Sequence, residues 1–347
     1  MSMMRRSSIQ RCLVLVLLGC LPVAAEENPE KLAAQMITPA ADRAVDRGLT
    51  WLSSRQNDDG SLGSGPHRGN AAIVALAGMA FVSSGSTPGR GPYGLQVGRC
   101  VDFLLASVQP SGLINDTDTS VHGPMYRHGF GTLFLAECYG MSPRPELREK
   151  LAKAVKLIVN TQNKDGGWRY EPVRADADIS VTVCEVMALR AARNAGLYVP
   201  NESIDRSIDY VKRSQNPDGG FMYIIQGGES GFARSAAGVV ALYSAGVYQG
   251  PEITKGLGYL MQFLPGQGAA RPQDSYYEYG HYYAVQAMWQ AGGKHFGRWY
   301  PAVREDLLSR QRPDGSWTCA YYGAEYATAM CCIILQVPNN YLPIFQR

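Results

Sequence analysis

Apolar residues recur along this chain in two alternating registers. In the first, Val45, Leu49 and Leu52 stand 15, 11 and 8 residues ahead of Gly60. The same offsets ahead of Gly112, Gly166 and Gly219 give Val97, Val101 and Leu104, then Leu151, Val155 and Ile158, then Ile204, Ile208 and Val211. Spacings of four and three put each trio on one face of a helix, with polar residues around the rest. In the second register the segments are apolar on nearly all sides and rich in small residues: "GNAAIVALAGMAF", "HGFGTLFLAECYG", "DISVTVCEVMALRAA", "RSAAGVVALYSAG", "GHYYAVQAMWQAG" and "EYATAMCCIILQ". Helices of that kind are buried all round. Each unit therefore pairs an amphipathic outer helix with a buried inner one.

A turn separates the two registers and repeats with them. It reads "QNDDGSL" from Gln56, "QPSGLI" from Gln109, "QNKDGGW" from Gln162, "QNPDGGF" from Gln215 and "QRPDGSW" from Gln311. Its glycines are spaced by 52, 54, 53 and 96 residues, and the last gap is nearly two periods. The helix offsets locate the missing copy: counted back from Gly268 they fall on Ile253, Leu257 and Leu260. The sixth copy fits partly, through Leu307. Six helix pairs at a period near 50 predict a repeat architecture. An open solenoid needs polar capping repeats, yet the last inner helix carries "MCCIIL". Closure into a ring fits better, so the expected fold is all-α, an α/α toroid of two concentric layers.

The N-terminus follows another pattern. Arg5, Arg6 and Arg11 precede the apolar run "CLVLVLLGCLPVAA", and "EENPE" follows it. This is the layout of a secretory signal, cleaved after Ala25. The "LLGC" stretch offers a second reading, lipid attachment at Cys20. The expected organisation is a signal peptide over 1–25, a linker over 26–40 and the toroid over 41–347, in an exported protein with no membrane span after signal removal. With 46% hydrophobic and 18% charged residues, the chain can bury a large core. Losing residues 1–25 removes three Arg and no acid, leaving 30 basic and 30 acidic residues. That balance holds no basic block for nucleic acid. The remaining cysteines lie mostly in apolar segments without a CxxC, which points to buried small hydrophobes.

The Gln-x-x-Asp-Gly-(Ser/Gly)-aromatic turn closing an amphipathic helix resembles the repeat of the terpenoid cyclases and protein prenyltransferases, over residues 40–340. The resemblance implies that Gln56, Gln162, Gln215 and Gln311, with Leu62, Trp168, Phe221 and Trp317, tie neighbouring helices together. It also implies a further role for "DADI". Class II terpenoid cyclases carry DxDD at an inner-helix start, where an acid protonates an alkene or epoxide and aromatic faces stabilise the cation. Asp176 and Asp178 match the first two acids, and Ile179 replaces the last. The zinc-binding Asp-x-Cys pair of the prenyltransferases is absent: Asp274, His281 and Cys319 occur in the wrong order. So is the Cys-Gly-Glu-Gln thioester of complement-like relatives. No cofactor or metal is expected.

Chain direction puts all the outer-to-inner linkers on one face of the ring, with the inner-helix N-termini and their positive dipole ends. His67, His122, His128 and His281 fall there, as do Tyr126, Tyr170, Tyr223, Tyr276, Tyr277, Tyr279, Tyr321, Tyr322 and Tyr326. An axial cavity at this face is the expected site. Aligned inner helices place Gly69, His128, Thr182, Ser235 and His281 at one height. Asp178 is then the candidate acid, with His128 and His281 orienting it or relaying protons. Asp176, Thr182, Ser235, Arg234, Tyr276, Tyr277, Tyr279, Tyr322, Glu325 and Tyr326 are candidates for the cavity lining. The expected ligand is an apolar, isoprenoid-like small molecule. The alternatives are a non-catalytic toroid gripping a protein or glycan, and a glycan-degrading enzyme with Asp178 and Glu325 as acid and base.

Overall fold

The computed structural model describes residues 33, 35–115, 123–142, 144–266 and 276–346. Among them are twelve α-helices and no strands beyond isolated bridges. The outer layer is α1 (Pro39–Arg55), α3 (Gly94–Ala106), α5 (Leu147–Thr161), α7 (Asn201–Arg213), α9 (Pro251–Leu260) and α11 (Gly293–Arg310). The inner layer is α2 (Ala71–Val82), α4 (Pro124–Tyr139), α6 (Ile179–Asn194), α8 (Phe232–Ser244), α10 (Tyr277–Ala291) and α12 (Gly323–Gln336). Each inner helix packs on the next, and α12 packs back on α2, so the ring is closed. The fifth pair is complete: Ile253, Leu257 and Leu260 are buried on α9. Gly268 and most of the long linker leading to α10 lie outside the described residues.

The repeated turn is the device that holds the ring together. In four repeats the Gln side-chain amide donates both to its own turn and to the next outer helix. Gln162 Nε2 bonds Gly166 O at 2.9 Å and Ser203 O at 2.8 Å. Gln215 bonds Gly219 O and Glu252 O, and Gln56 bonds Gly60 O and Gln96 O. Gln311 closes the circle, bonding Gly315 O at 2.9 Å and Ala44 O of α1 at 2.7 Å. The turn glycine adopts positive φ, +98° at Gly166, and sits against the same neighbour. A Cβ there would lie 2.0 Å from Arg206 O, so no other residue fits. Trp168 and Trp317 are buried, with Nε1 donating to Ile158 O and Leu307 O, both at 2.8 Å.

Both ends of the described chain pack against the ring. Ala33 and Met36 are buried, and Arg304 Nη1 donates to Met36 O at 2.6 Å, so packing reaches back into the expected linker. At the other end, residues 343–345 cover the side of the ring away from the linkers. There Phe345 O accepts bonds from Trp289 and Gln290, and Ile344 N donates to Glu137. All six cysteines from Cys100 to Cys332 are buried free thiols. No helix among the described residues is long and apolar enough to cross a membrane.

Candidate functional site

The inner-helix N-termini surround a cavity of about 630 Å³ on the linker face. Every repeat contributes to its wall. From the first half of the chain come Asn70, Ile73 and Leu76 of the α2 region, Tyr126, Arg127 and Phe130 of α4, and Ser180 of α6. The second half adds residues 229–234 at the start of α8, Tyr276 and Tyr279 at α10, and Tyr322 and Tyr326 at α12. His67, Tyr170 and Tyr223 reach in from linkers, and Tyr259 and Phe263 from the end of the fifth outer segment. Eight tyrosines and three phenylalanines thus face one space. Such rings present apolar surface and negative quadrupole faces together. Its charged side chains are Arg127, Glu229 and Arg234, with His67 as a further titratable group.

Asp178 stands at the edge of this cavity, not in its wall. It is fully buried and caps α6, with Oδ1 accepting from Ser180 N at 2.9 Å and Val181 N at 2.8 Å. Oδ2 makes no hydrogen bond of good geometry, and Arg169 Nε stands 3.8 Å from it. Burial raises the carboxyl to about 6, against the lowering pull of the two capping amides, Arg169 and the Tyr223 hydroxyl. The Tyr223 hydroxyl, close to Asp178, hydrogen-bonds that of Tyr170, and both rings line the cavity. A chain of polar groups, Asp178–Tyr223–Tyr170, therefore leads from the buried acid to the ligand space. Asp176 is exposed and ion-paired with Arg169, so it acts on Asp178 only through that arginine.

The expected ring of equivalent positions exists, but it faces the turns. Thr182 Oγ1 accepts from Trp168 N at 3.1 Å, and Ser235 Oγ accepts from Phe221 N at 2.8 Å. Thr328 does the same for Trp317 N at 3.0 Å. His128 is the second repeat's version: Nδ1 accepts from Ile114 N at 3.0 Å, and Nε2 donates to Ala154 O at 3.1 Å. With both nitrogens bound to backbone, and burial pushing its pKa down to about 4, His128 is a neutral structural clamp. The expectation that it orients Asp178 is corrected. His281 holds the matching place in the fifth repeat. It is buried among Phe232, Tyr277 and Trp299, its Nδ1 has no partner among the described residues, and burial lowers its pKa to about 3. It does not line the cavity either.

Other candidates divide similarly. Tyr276, Tyr279, Tyr322, Tyr326 and Arg234 are on the wall, and Tyr279 donates to Ser180 O at 2.8 Å. Tyr277 turns outward to Asp306, beneath Arg310. Glu325 meets Arg55 at 3.5 Å and accepts from Ser64 at 3.1 Å, outside the wall, which leaves no acid pair with Asp178 across the cavity. His122 and Asp274 lie outside the described residues. Sequence reasoning missed Tyr259 and Phe263, which reach the cavity from the end of the fifth outer segment. It also missed Glu185, whose buried carboxyl has no partner for either oxygen, although an acid inside an apolar inner-helix pattern was a visible signal. No cluster of metal-ligating side chains occurs among the described residues.

Comparison with known proteins finds the same closed α/α toroid. Residues 130–264 match the family model described as prenyltransferase alpha-alpha toroid domain. Two drimenyl diphosphate synthases are similar in sequence. The one from Streptantibioticus cattleyicolor is 26% identical over 183 residues, and the one from Streptomyces showdoensis 24% over 184. Each match spans 51% of this chain and 32% of the relative, so about half of this chain aligns with about a third of each of those proteins. Among solved structures, a type II terpene cyclase from Scytonema aligns with a TM-score of 0.61 at 14% identity, over 87% of this chain and 99% of that one. A variant of that cyclase was solved with geranylgeranyl dihydroxybenzoate as substrate. An alpha-1,6-mannanase variant from Salegentibacter also aligns, with a TM-score of 0.61 at 7% identity, over 87% and 99% of the chains. Likenesses this distant show the fold alone.

Proposed function

We propose that this protein binds an apolar, unsaturated molecule of isoprenoid class in the tyrosine-lined cavity, and that Asp178 supplies a proton to it. The observation that carries the reading is the wall itself. Rings from all sides enclose a volume suited to a small molecule, and their faces suit both double bonds and developing positive charge. The terpene cyclase with its geranylgeranyl substrate and the drimenyl diphosphate synthases support the ligand class by analogy.

Asp178 is the acid because its environment suits the task. Burial raises its pKa to about 6, so a proton is present on it in mildly acidic solution. Its route to the cavity is the hydroxyl of Tyr223 and then that of Tyr170. Each oxygen takes one proton and passes one on, ending at an alkene carbon; the tertiary cation so formed faces the aromatic wall. The test is incubation of a C15 or C20 isoprenoid alcohol in deuterated buffer. Carbon-bound deuterium should appear in the recovered ligand with the wild type and fall at least about tenfold with Asp178→Asn, an amount typical of a lost general acid. Equal incorporation by both proteins would refute the acid role. On the basic and apolar pattern of residues 5–24 we also infer export, which N-terminal sequencing of the processed protein tests.

A further inference from the structure

The far side of the ring, opposite the cavity, is crossed by residues 341–346. Asn340 turns the chain there from α12, in the left-handed conformation at φ 53°. Asn is among the few residues with a side chain that adopt it readily. Asn339 Nδ2 anchors the turn to Ser83 O at 3.3 Å. Leu342, Ile344 and Phe345 are buried, while Tyr341 is exposed. Backbone groups make the remaining attachments. Phe345 O accepts from Trp289 and Gln290 of α10, and Gln346 O accepts from Arg190 Nη2 of α6 at 2.6 Å. Ile344 N donates to Glu137 Oε2 of α4 at 3.1 Å. One short segment thus ties together inner helices of the second, third and fifth repeats.

Glu137 is the costly member of this set. It lies in the last turn of α4, at the negative end of the helix dipole, and is 5% exposed. Its hydrogen bond from Ile344 is the only one it makes among the described residues. Arg190 of α6 is the one charged side chain among the described residues that acts on it. That guanidinium is engaged with Tyr243 O at 3.0 Å and with Gln346 O, and it forms no ion pair with Glu137. Arg144, on the loop after α4, pairs with Asp102 at 2.7 Å instead. Tyr282 of α10 and Cys138 feel the Glu137 charge, and burial raises both, so they stay neutral. The neighbouring α2 carries no titratable residue. Burial pushes the Glu137 carboxyl up to about 8, against the pull of the Ile344 amide and Arg190.

We propose that residues 341–346 are a pH-sensitive latch, closed over the ring while Glu137 is neutral and released when it ionises. Opening gives the carboxylate the water that closure denies it. Closure is therefore most favourable below the ordinary value of 4.5, weakens as pH rises, and weakens no further above about 8. Release leaves the ring itself joined, because the Gln311 bond to Ala44 does not involve these residues. The latch acts whatever the cavity binds, since residues 341–346 take no part in the cavity wall.

Amide hydrogen exchange of the whole protein, followed by NMR across pH and corrected for intrinsic rates, tests this. The opening constant at Ile344 should rise at least about tenfold between about pH 5 and about pH 8, since one titrating group changes such a constant by up to about tenfold per pH unit. The Trp317 amide, bonded to Thr328 Oγ1 at 3.0 Å in a repeated turn, is the reference and should not follow. Glu137→Gln keeps the shape without the charge, so its latch should stay closed at every pH in that range. Flat protection at Ile344 in the wild type, the same rise in a folded Glu137→Gln, or a Trp317 amide that opens in parallel overturns the latch. If Glu137→Gln does not fold, the wild-type Ile344 amide resonance decides. It should move with a single titration near the value given for Glu137, and a resonance that stays still across that range overturns the latch equally.

Discussion

Asp178 shows how one side chain can serve two ends. Oδ1 caps α6, and Oδ2 keeps a buried charge short of partners. Its folded carboxyl titrates near 6 against an ordinary value of 3.8, so between those values the folded chain holds the proton that the unfolded chain has released. Stability from this residue therefore falls as pH rises through the window, and the penalty is complete above 6. Asn keeps the cap and carries no charge. Asp178→Asn should accordingly be more stable than wild type at pH 7, by about 1–3 kcal/mol, and no more stable near pH 3. Paired denaturant titrations at the two pH values measure this. His128 has the opposite sign. Its pKa is depressed to about 4, so its contribution is present above 6.5 and fades as pH falls through that window. His128→Ala leaves Ile114 N and Ala154 O without their side-chain partner and should cost about 2–5 kcal/mol, read from the same titrations at neutral pH. Neither histidine role was legible in sequence. A polar residue at the first turn of a buried helix can face the axis or the turn behind it, and periodicity alone does not separate the two. The "DADI" acids were legible as an inner-helix start, but Arg169, which joins them, was not.

At the scale of the element, the repeated turn was almost wholly legible. Its Gln, Gly and aromatic residue recur in the chain for three separate physical reasons. The Gln amide bridges two outer helices, the glycine lets a carbonyl of the next helix approach, and the aromatic fills the space behind. Gly166→Ala must place a methyl 2.0 Å from Arg206 O at φ +98°. It should destabilise the protein by more than about 3 kcal/mol, visible as a large fall in Tm. Trp168→Ala and Trp317→Ala should each cost about 3–5 kcal/mol; a wild-type melt in either would contradict the part these rings play in holding the layers together. In the fifth repeat the outer helix keeps its buried apolar stripe, while His281, in the clamp position, has an Nδ1 with no partner among the described residues.

At the scale of the whole molecule, the 52–54-residue period and the lack of polar end repeats foretold a closed ring, and Gln311 bonded to Ala44 is the joint that closes it. Linker composition foretold an aromatic mouth. What it did not foretell is which aromatics face inward, because that depends on the tilt of each helix pair: Tyr259 enters from the outer layer, and Tyr277 turns away. The central claim is that this mouth receives an isoprenoid-like molecule. The most direct measurement is a fluorescence titration of the protein with a C20 isoprenoid alcohol, beside the same titration of Phe130→Trp. Phe130 lines the cavity, where a larger ring takes up ligand space. The account predicts saturable one-to-one binding by the wild type, weakened at least about tenfold, or 1.4 kcal/mol, in a Phe130→Trp protein that still melts normally. Absence of saturable binding, or equal affinity in the filled variant, would contradict it.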